Sequence, residues 1–166
     1  YITQMLELAG WSESEAADSA KKIFEFETTL ATHHWNVVET RDAEKTYNLK
    51  SFDELQETSG NYDWQLWLDG AKLEKRILAE TVVMTPSFFE GLGSLFTDEN
   101  LDALKAWLSF NVINQMAPYL SSDFVNTRFE FYGRKLTGQP EMRARWKRAV
   151  QAVEGSLGEA VGEIYV

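Results

Sequence analysis

Apolar residues recur at intervals of three and four along most of this chain, and the pattern fades only over residues 36–60, where polar residues dominate. The clearest stripe is the last. Trp146, Ala149, Val150, Val153, Leu157, Ala160, Val161 and Ile164 share one face of a predicted helix, because a period of 3.6 brings positions three and four apart into line. The final turn, Gly162-Glu163-Ile164-Tyr165-Val166, is apolar and acidic, without the basic residues and following Gly or Asn that commonly end a helix. At the other end Tyr1 leads directly into Ile2, Met5, Leu6 and Leu8. Both ends read as cuts through something longer, with Ile164, Tyr165 and Val166 as the place where the remainder attaches.

Upstream, Ser12 and Glu15 form a capping box, each side chain able to satisfy the other's free backbone N–H. The helix they open is predicted to run to about Thr32, with Ala16, Ala20, Ile23, Phe24 and Leu30 inward. Within the polar stretch one short helix is expected around residues 52–57, and a second after it, holding Trp64, Trp67 and Leu68. The segment 81–84 is β-branched over its first three residues and stands just before Thr85-Pro86, which favours extended backbone. A lone strand makes no sheet, so its partner is expected outside the chain.

Thr97-Asp98-Glu99 is predicted to cap a long helix, its acids placed where the macrodipole favours them. No charged residue occurs from Ala106 to Ser122, and Trp107, Leu108, Phe110, Val112, Ile113 and Met116 occupy several faces, so this helix is expected to be buried nearly all round. A further helix over residues 123–136 carries Val125, Phe129, Tyr132 and Leu136 on one face. Pro86, Pro118 and Pro140 fall at boundaries, as residues excluded from helix interiors should. The fold class is all-α: several helices with long connecting loops and at most one short extended segment near Thr81 to Met84, forming one domain over 1–166.

With 166 residues and 44% hydrophobic content, the chain can bury a substantial core, and disorder is excluded. Its net charge of −10 opposes general binding to nucleic acid or anionic membranes, which require basic surfaces. No apolar run approaches the roughly 18 residues of a membrane span. The chain has no cysteine and no N-x-S/T sequon, a composition suited to a reducing compartment.

His33-His34 is the sole histidine pair, but adjacent helical residues point about 100° apart, whereas zinc-binding helices set their ligands at i and i+4. A zinc site completed by Glu39 or Asp42 is therefore disfavoured against a polar helix end. Arg134, Lys135, Arg143, Arg145, Lys147 and Arg148 surround Trp146, and residues 134–166 hold these six basic residues against four acidic ones, Glu141, Glu154, Glu159 and Glu163. A basic patch with an aromatic could seat nucleic acid; the acidic bulk opposes that, and a solvated face or pairing with acidic neighbours is preferred. Gly155, Gly158 and Gly162 follow a helical stripe rather than a strand, which argues against a phosphate cradle and for close approach of another backbone. Arg41, Asp42, Tyr47 and Asn48 are expected to order the long polar connection.

The runs Leu104-Lys105-Ala106-Trp107, Ala117-Pro118-Tyr119-Leu120-Ser121, Phe131-Tyr132-Gly133, Leu136-Thr137-Gly138-Gln139, Arg145-Trp146-Lys147-Arg148 and residues 158–166 together resemble the neprilysin family of zinc metallopeptidases. Arg41-Asp42, residues 46–49, residues 52–55 and Val82-Val83-Met84-Thr85-Pro86 resemble it in the same order. The likeness is to the family's helical N-terminal region. It implies a two-lobed peptidase whose other lobe carries an HExxH zinc helix, with the helical lobe closing a chamber that admits peptides and excludes folded proteins. This chain has no HExxH, no Asn-Ala-Tyr-Tyr strand and no third-ligand motif. No catalytic or metal residue is carried over, and substrate-binding residues stay unassigned. Zinc is expected only in the full-length enzyme, and the partners implied are the missing catalytic lobe and peptide substrates. Ala149 stands where animal members usually carry a cysteine, which resembles the bacterial branch and favours a cytoplasmic over a secreted location. The alternative reading is a freestanding all-α interaction module whose last helix docks on a partner.

Overall fold

The computed structural model describes residues 1–165, so Val166 at the expected attachment point lies outside the described residues. Among the described residues there are eight α-helices: α1 (Ile2–Leu8), α2 (Glu13–Ala31), α3 (Phe52–Thr58), α4 (Trp64–Ala71), α5 (Pro86–Leu95), α6 (Leu101–Met116), α7 (Ser122–Arg128) and α8 (Arg145–Tyr165). The all-α expectation holds.

The capping box read at Ser12 and Glu15 is realised, and the structure adds a second one that the sequence reading did not name. Ser12 Oγ accepts from the Glu15 N–H at 3.4 Å while Glu15 accepts from the Ser12 N–H at 3.1 Å, and Ser51 and Glu54 repeat the arrangement at the start of α3. Such boxes form from four consecutive residues and need no tertiary context.

The main core lies where α1, α2 and α6 meet. Leu6, Ala16, Ile23 and Ala106 are buried together, with Trp11, Trp107, Phe110 and Ile113 packed around them. Burying side chains of this kind contributes about 1.5–3 kcal/mol each. One inward assignment on α2, Phe24, is overturned, and Phe26, not assigned inward from the sequence, takes the core position. Phe24 is 69% exposed while Phe26 is buried and sets its ring 5.6 Å from that of Trp107. Ile23, Phe26 and Leu30 follow the three-and-four spacing, and Phe24 falls about 100° off Ile23.

A second packed region joins α3, α4 and α5, with Leu55, Ser59, Leu68 and Val83 buried. Ser59 is satisfied there: its Oγ donates to the Leu55 carbonyl and accepts from Trp64 Nε1, both at 2.8 Å. The extended segment finds its partner within the chain, contrary to expectation. Strand β1 (Leu49–Lys50) pairs antiparallel with β2 (Thr81–Val82), Leu49 opposite Val82. A two-residue strand has no detectable period, and the ladder is secured by Asn48, whose carbonyl accepts from the Val83 N–H at 2.8 Å and whose side-chain amide donates to the Val83 carbonyl at 3.0 Å.

Three helix expectations change. Thr97 makes no side-chain cap; Asp98–Asn100 form a 3-10 turn before α6, and the Asn100 side chain donates back to the Leu95 carbonyl at 3.1 Å. Helix α6 is not buried all round: Ala106, Trp107, Phe110 and Ile113 face the core, while Leu108, Val112 and Met116 are exposed along another face. The helix over residues 123–136 is two segments, α7 followed by a π-helix over Phe129–Leu136, and Leu136 is exposed. A π-turn widens the helix and shifts later residues off the 3.6 register. Helix α5, whose first turn Pro86 opens, carries two buried glycines, Gly91 and Gly93.

Helix α8 kinks at Leu157, where φ is −132° and ψ is 35°. Its stripe, including Trp146, Val150, Val153 and Leu157, faces solvent. Beside Gly155, Gly158 and Gly162 nothing lies within 4 Å of where a Cβ would stand, so no described part of this chain makes the close approach the glycines suggested. No described helix is long and apolar enough to cross a membrane.

Candidate functional site

The histidine pair is divided between packing roles. The His33 ring lies directly over Gly91 of α5, and its carbonyl accepts from Ser87 Oγ at 2.8 Å. His34 meets Phe88 edge-on, with ring centroids 4.8 Å apart. The other weighed ligands are engaged as well. Glu39 accepts from the Asn36 side chain at 2.7 Å and pairs with Lys45 at 3.6 Å, and Asp42 accepts the backbone N–H groups of Glu44 and Lys45 at 3.0 and 3.1 Å. Among the described residues no group of three or more potential ligands is gathered for a metal.

Asp42 and Asn48 do order the polar connection, since the Asn48 amide also donates to the Lys45 carbonyl at 2.7 Å. Arg41 and Tyr47 do not share that task; both side chains are exposed. The short polar side chains reach nearby backbone, as Asx-type turns require.

Of the basic cluster, Arg134 is neutralised by Glu130 at 2.9 Å and reaches the Pro140 carbonyl at 3.4 Å. Lys147 lies 5.4 Å from the ring of Trp146. Arg148 Nε is buried with no hydrogen-bond partner among the described residues.

Two recesses stand among the described residues. A wide groove of about 540 Å³ between α2 and α6 is lined by Glu15, Asp18, Lys22, Asp102 and Lys105 among others, and Lys22 and Asp102 pair across it at 3.9 Å. Both charges are largely solvated, so the groove is screened rather than strongly charged. A smaller recess of about 430 Å³ is apolar and aromatic, lined by Tyr1, Ile2, Ala20, Phe24, Phe131 and Tyr132. The Tyr1 ring stacks on Phe131 with centroids 4.4 Å apart. Its hydroxyl donates to Asn114 Oδ1, and Asn114 Nδ2 reaches the Tyr132 hydroxyl at 3.3 Å. Arg128 donates to the Asn114 carbonyl at 3.4 Å and lies 4.6 Å over the Tyr132 ring. Burial, then the neighbouring Tyr132, push the Tyr1 hydroxyl up to about 12, against the opposing pull of Arg128.

Sequence reading missed this network because Tyr1 and Asn114 are separated by 113 positions. Nothing local marks such a pair. The recess can seat an apolar group, and among the described residues its lining includes no carboxylate or imidazole to serve as a base; the pKa shifts fall on tyrosines and capping glutamates.

The whole of the chain, residues 1–166, matches the N-terminal-domain model of peptidase family M13. The chain belongs to peptidase family M13. It is 30% identical over 161 residues to a neutral endopeptidase of Lactobacillus helveticus, covering 97% of this chain and 24% of that protein. Neprilysin-2 of Drosophila melanogaster is 26% identical over all of this chain and 23% of its own length. The crystal structure of the Mycobacterium tuberculosis zinc metalloprotease Zmp1 with an inhibitor superposes with a TM-score of 0.94 at 38% identity, covering 99% of this chain and 25% of that one. Its open state gives 0.93. This M13 chain thus spans about a quarter of the length of the relatives it matches. The described residues do not fit a zinc ion themselves: His33 and His34 are committed to Gly91 and Phe88, and Glu39 and Asp42 to local donors.

Proposed function

We propose that this chain is the helical lobe of a two-lobed M13 zinc metallopeptidase. It walls the active-site chamber and restricts substrates to peptides, while the zinc ligands and catalytic glutamate belong to the remainder of the polypeptide. The observation that carries this reading is the match of all 166 residues to the family's N-terminal domain, together with a 38% identical zinc metalloprotease of nearly the same backbone. The residue chemistry supports the same division of labour. Within the described residues, the polar side chains weighed for metal binding are spent on caps, turns and packing.

The test uses the full-length protein. It is expected to hold stoichiometric zinc, to cleave short unstructured peptides, and to spare folded proteins bearing the same cleavable sequences. Absence of zinc-dependent hydrolysis sinks the peptidase reading. Comparable cleavage of folded proteins and peptides sinks the confinement role while leaving the peptidase reading intact.

A further inference from the structure

On α8, Trp146, Val150, Val153 and Leu157 stand 65%, 48%, 48% and 60% exposed. Spaced at four, three and four, they share one face. The half-buried residues in this part of the helix are Arg148 and Ala152, which lie one turn apart on the opposite side. An apolar stripe turned to water, on a helix half-covered behind it only at Arg148 and Ala152 between residues 145 and 157, is a face lacking its partner.

We infer that the part of the polypeptide outside residues 1–166 docks on this stripe, placing carboxylates of its own against Arg145 and Lys147. The inference rests on the reading of the chain as one lobe of a larger peptidase, and it specifies the joining surface. Relatives are about four times as long as the stretch matched here, so a large tethered occupant is at hand, and tethering gives it an effective concentration that a free partner lacks. The charge pattern favours the same occupant. Arg145 and Lys147 flank the stripe and make no ion pair among the described residues, so a surface bearing carboxylates complements them. A second copy of this chain would bring a further net −10 and be repelled.

In the full-length protein, Val153→Cys and Gln151→Cys are each labelled with a maleimide and followed by peptide mass spectrometry. Gln151 is exposed and lies off the stripe. Val153→Cys is expected to react about tenfold or more slowly than Gln151→Cys, as a docked position does, with protection unchanged on dilution. Zero-length carbodiimide coupling is expected to join Lys147 to an Asp or Glu beyond residues 1–166 of the same chain. Equal labelling rates overturn the inference. So does protection that dilution removes, which assigns the face to a second copy, and so does coupling confined to carboxylates within residues 1–166. Neither readout depends on catalysis: protection without peptidase activity sinks the enzymatic reading alone, and activity with free labelling sinks the docking surface alone.

Discussion

The ring of His33 occupies the space that a side chain at Gly91 would fill. This contact joins the turn after α2 to α5, and it explains both residues at once: a ring packed against bare backbone, and a glycine in a helix where alanine would ordinarily be better by about 1 kcal/mol.

Gly91→Ala is expected to destabilise the protein by about 1–3 kcal/mol through overpacking, measured by urea unfolding. Adding His33→Ala should recover part of that loss, since the ring is what the new methyl meets. Gly93→Ala should show no such rescue by a side-chain change, because its methyl would meet the Ser59 carbonyl. Full additivity of Gly91→Ala and His33→Ala would contradict the contact.

Ile23 and Phe24 are neighbours with opposite roles. Ile23→Ala should cost about 2–5 kcal/mol, as core truncations do, whereas Phe24→Ala should stay within about 0.5 kcal/mol, as at other surface positions. Thermal denaturation of the two variants decides it, and a larger loss at Phe24 would place the helix in the wrong rotation.

Tyr1 supplies a test at alkaline pH. Its hydroxyl is raised from 10.0 to about 12 in the folded protein, so the folded state favours the neutral phenol. That contribution is complete below pH 10 and declines as pH rises toward 12. Tyr1→Phe should remove the corresponding fall in stability, seen by comparing unfolding midpoints of the two proteins across that window.

The capping glutamates respond at the acid end. Hydrogen bonds from Ser12 and Ser51 hold Glu15 and Glu54 below the usual carboxylate range. Their contribution is present above the unfolded-state value and is lost as pH falls through the lowered folded-state one. The stability gap between the parent and a Glu15→Gln, Glu54→Gln double variant should therefore narrow on acidification; a gap that widens would reverse the assigned direction.

Much of the helical framework was legible because its signals are local. Ser12 with Glu15, and Pro86 at the head of α5, act over one turn. Less legible was which face of a helix meets the core. On α6 the stretch from Ala106 carries no charged residue to mark the outer side, so Leu108 and Val112 were assigned inward and are exposed. The recess around Tyr1 could not be read at all, since Asn114, Phe131 and Tyr132 reach it from distant elements.

By itself the sequence determined the helical class, the Ser12–Glu15 capping box, the short helices carrying Leu55 and Leu68, and the family resemblance that the comparisons bear out. These depend on periodicity and on motifs written within a few residues. Only the tertiary structure decided that residues 81–82 pair with 49–50, that His33 rests on Gly91, that the chain turns to π-helix at Phe129, and that the stripe of α8 is left open. Each of these turns on what is brought near in space, and a pattern of apolar positions records that a face should be covered without recording by what.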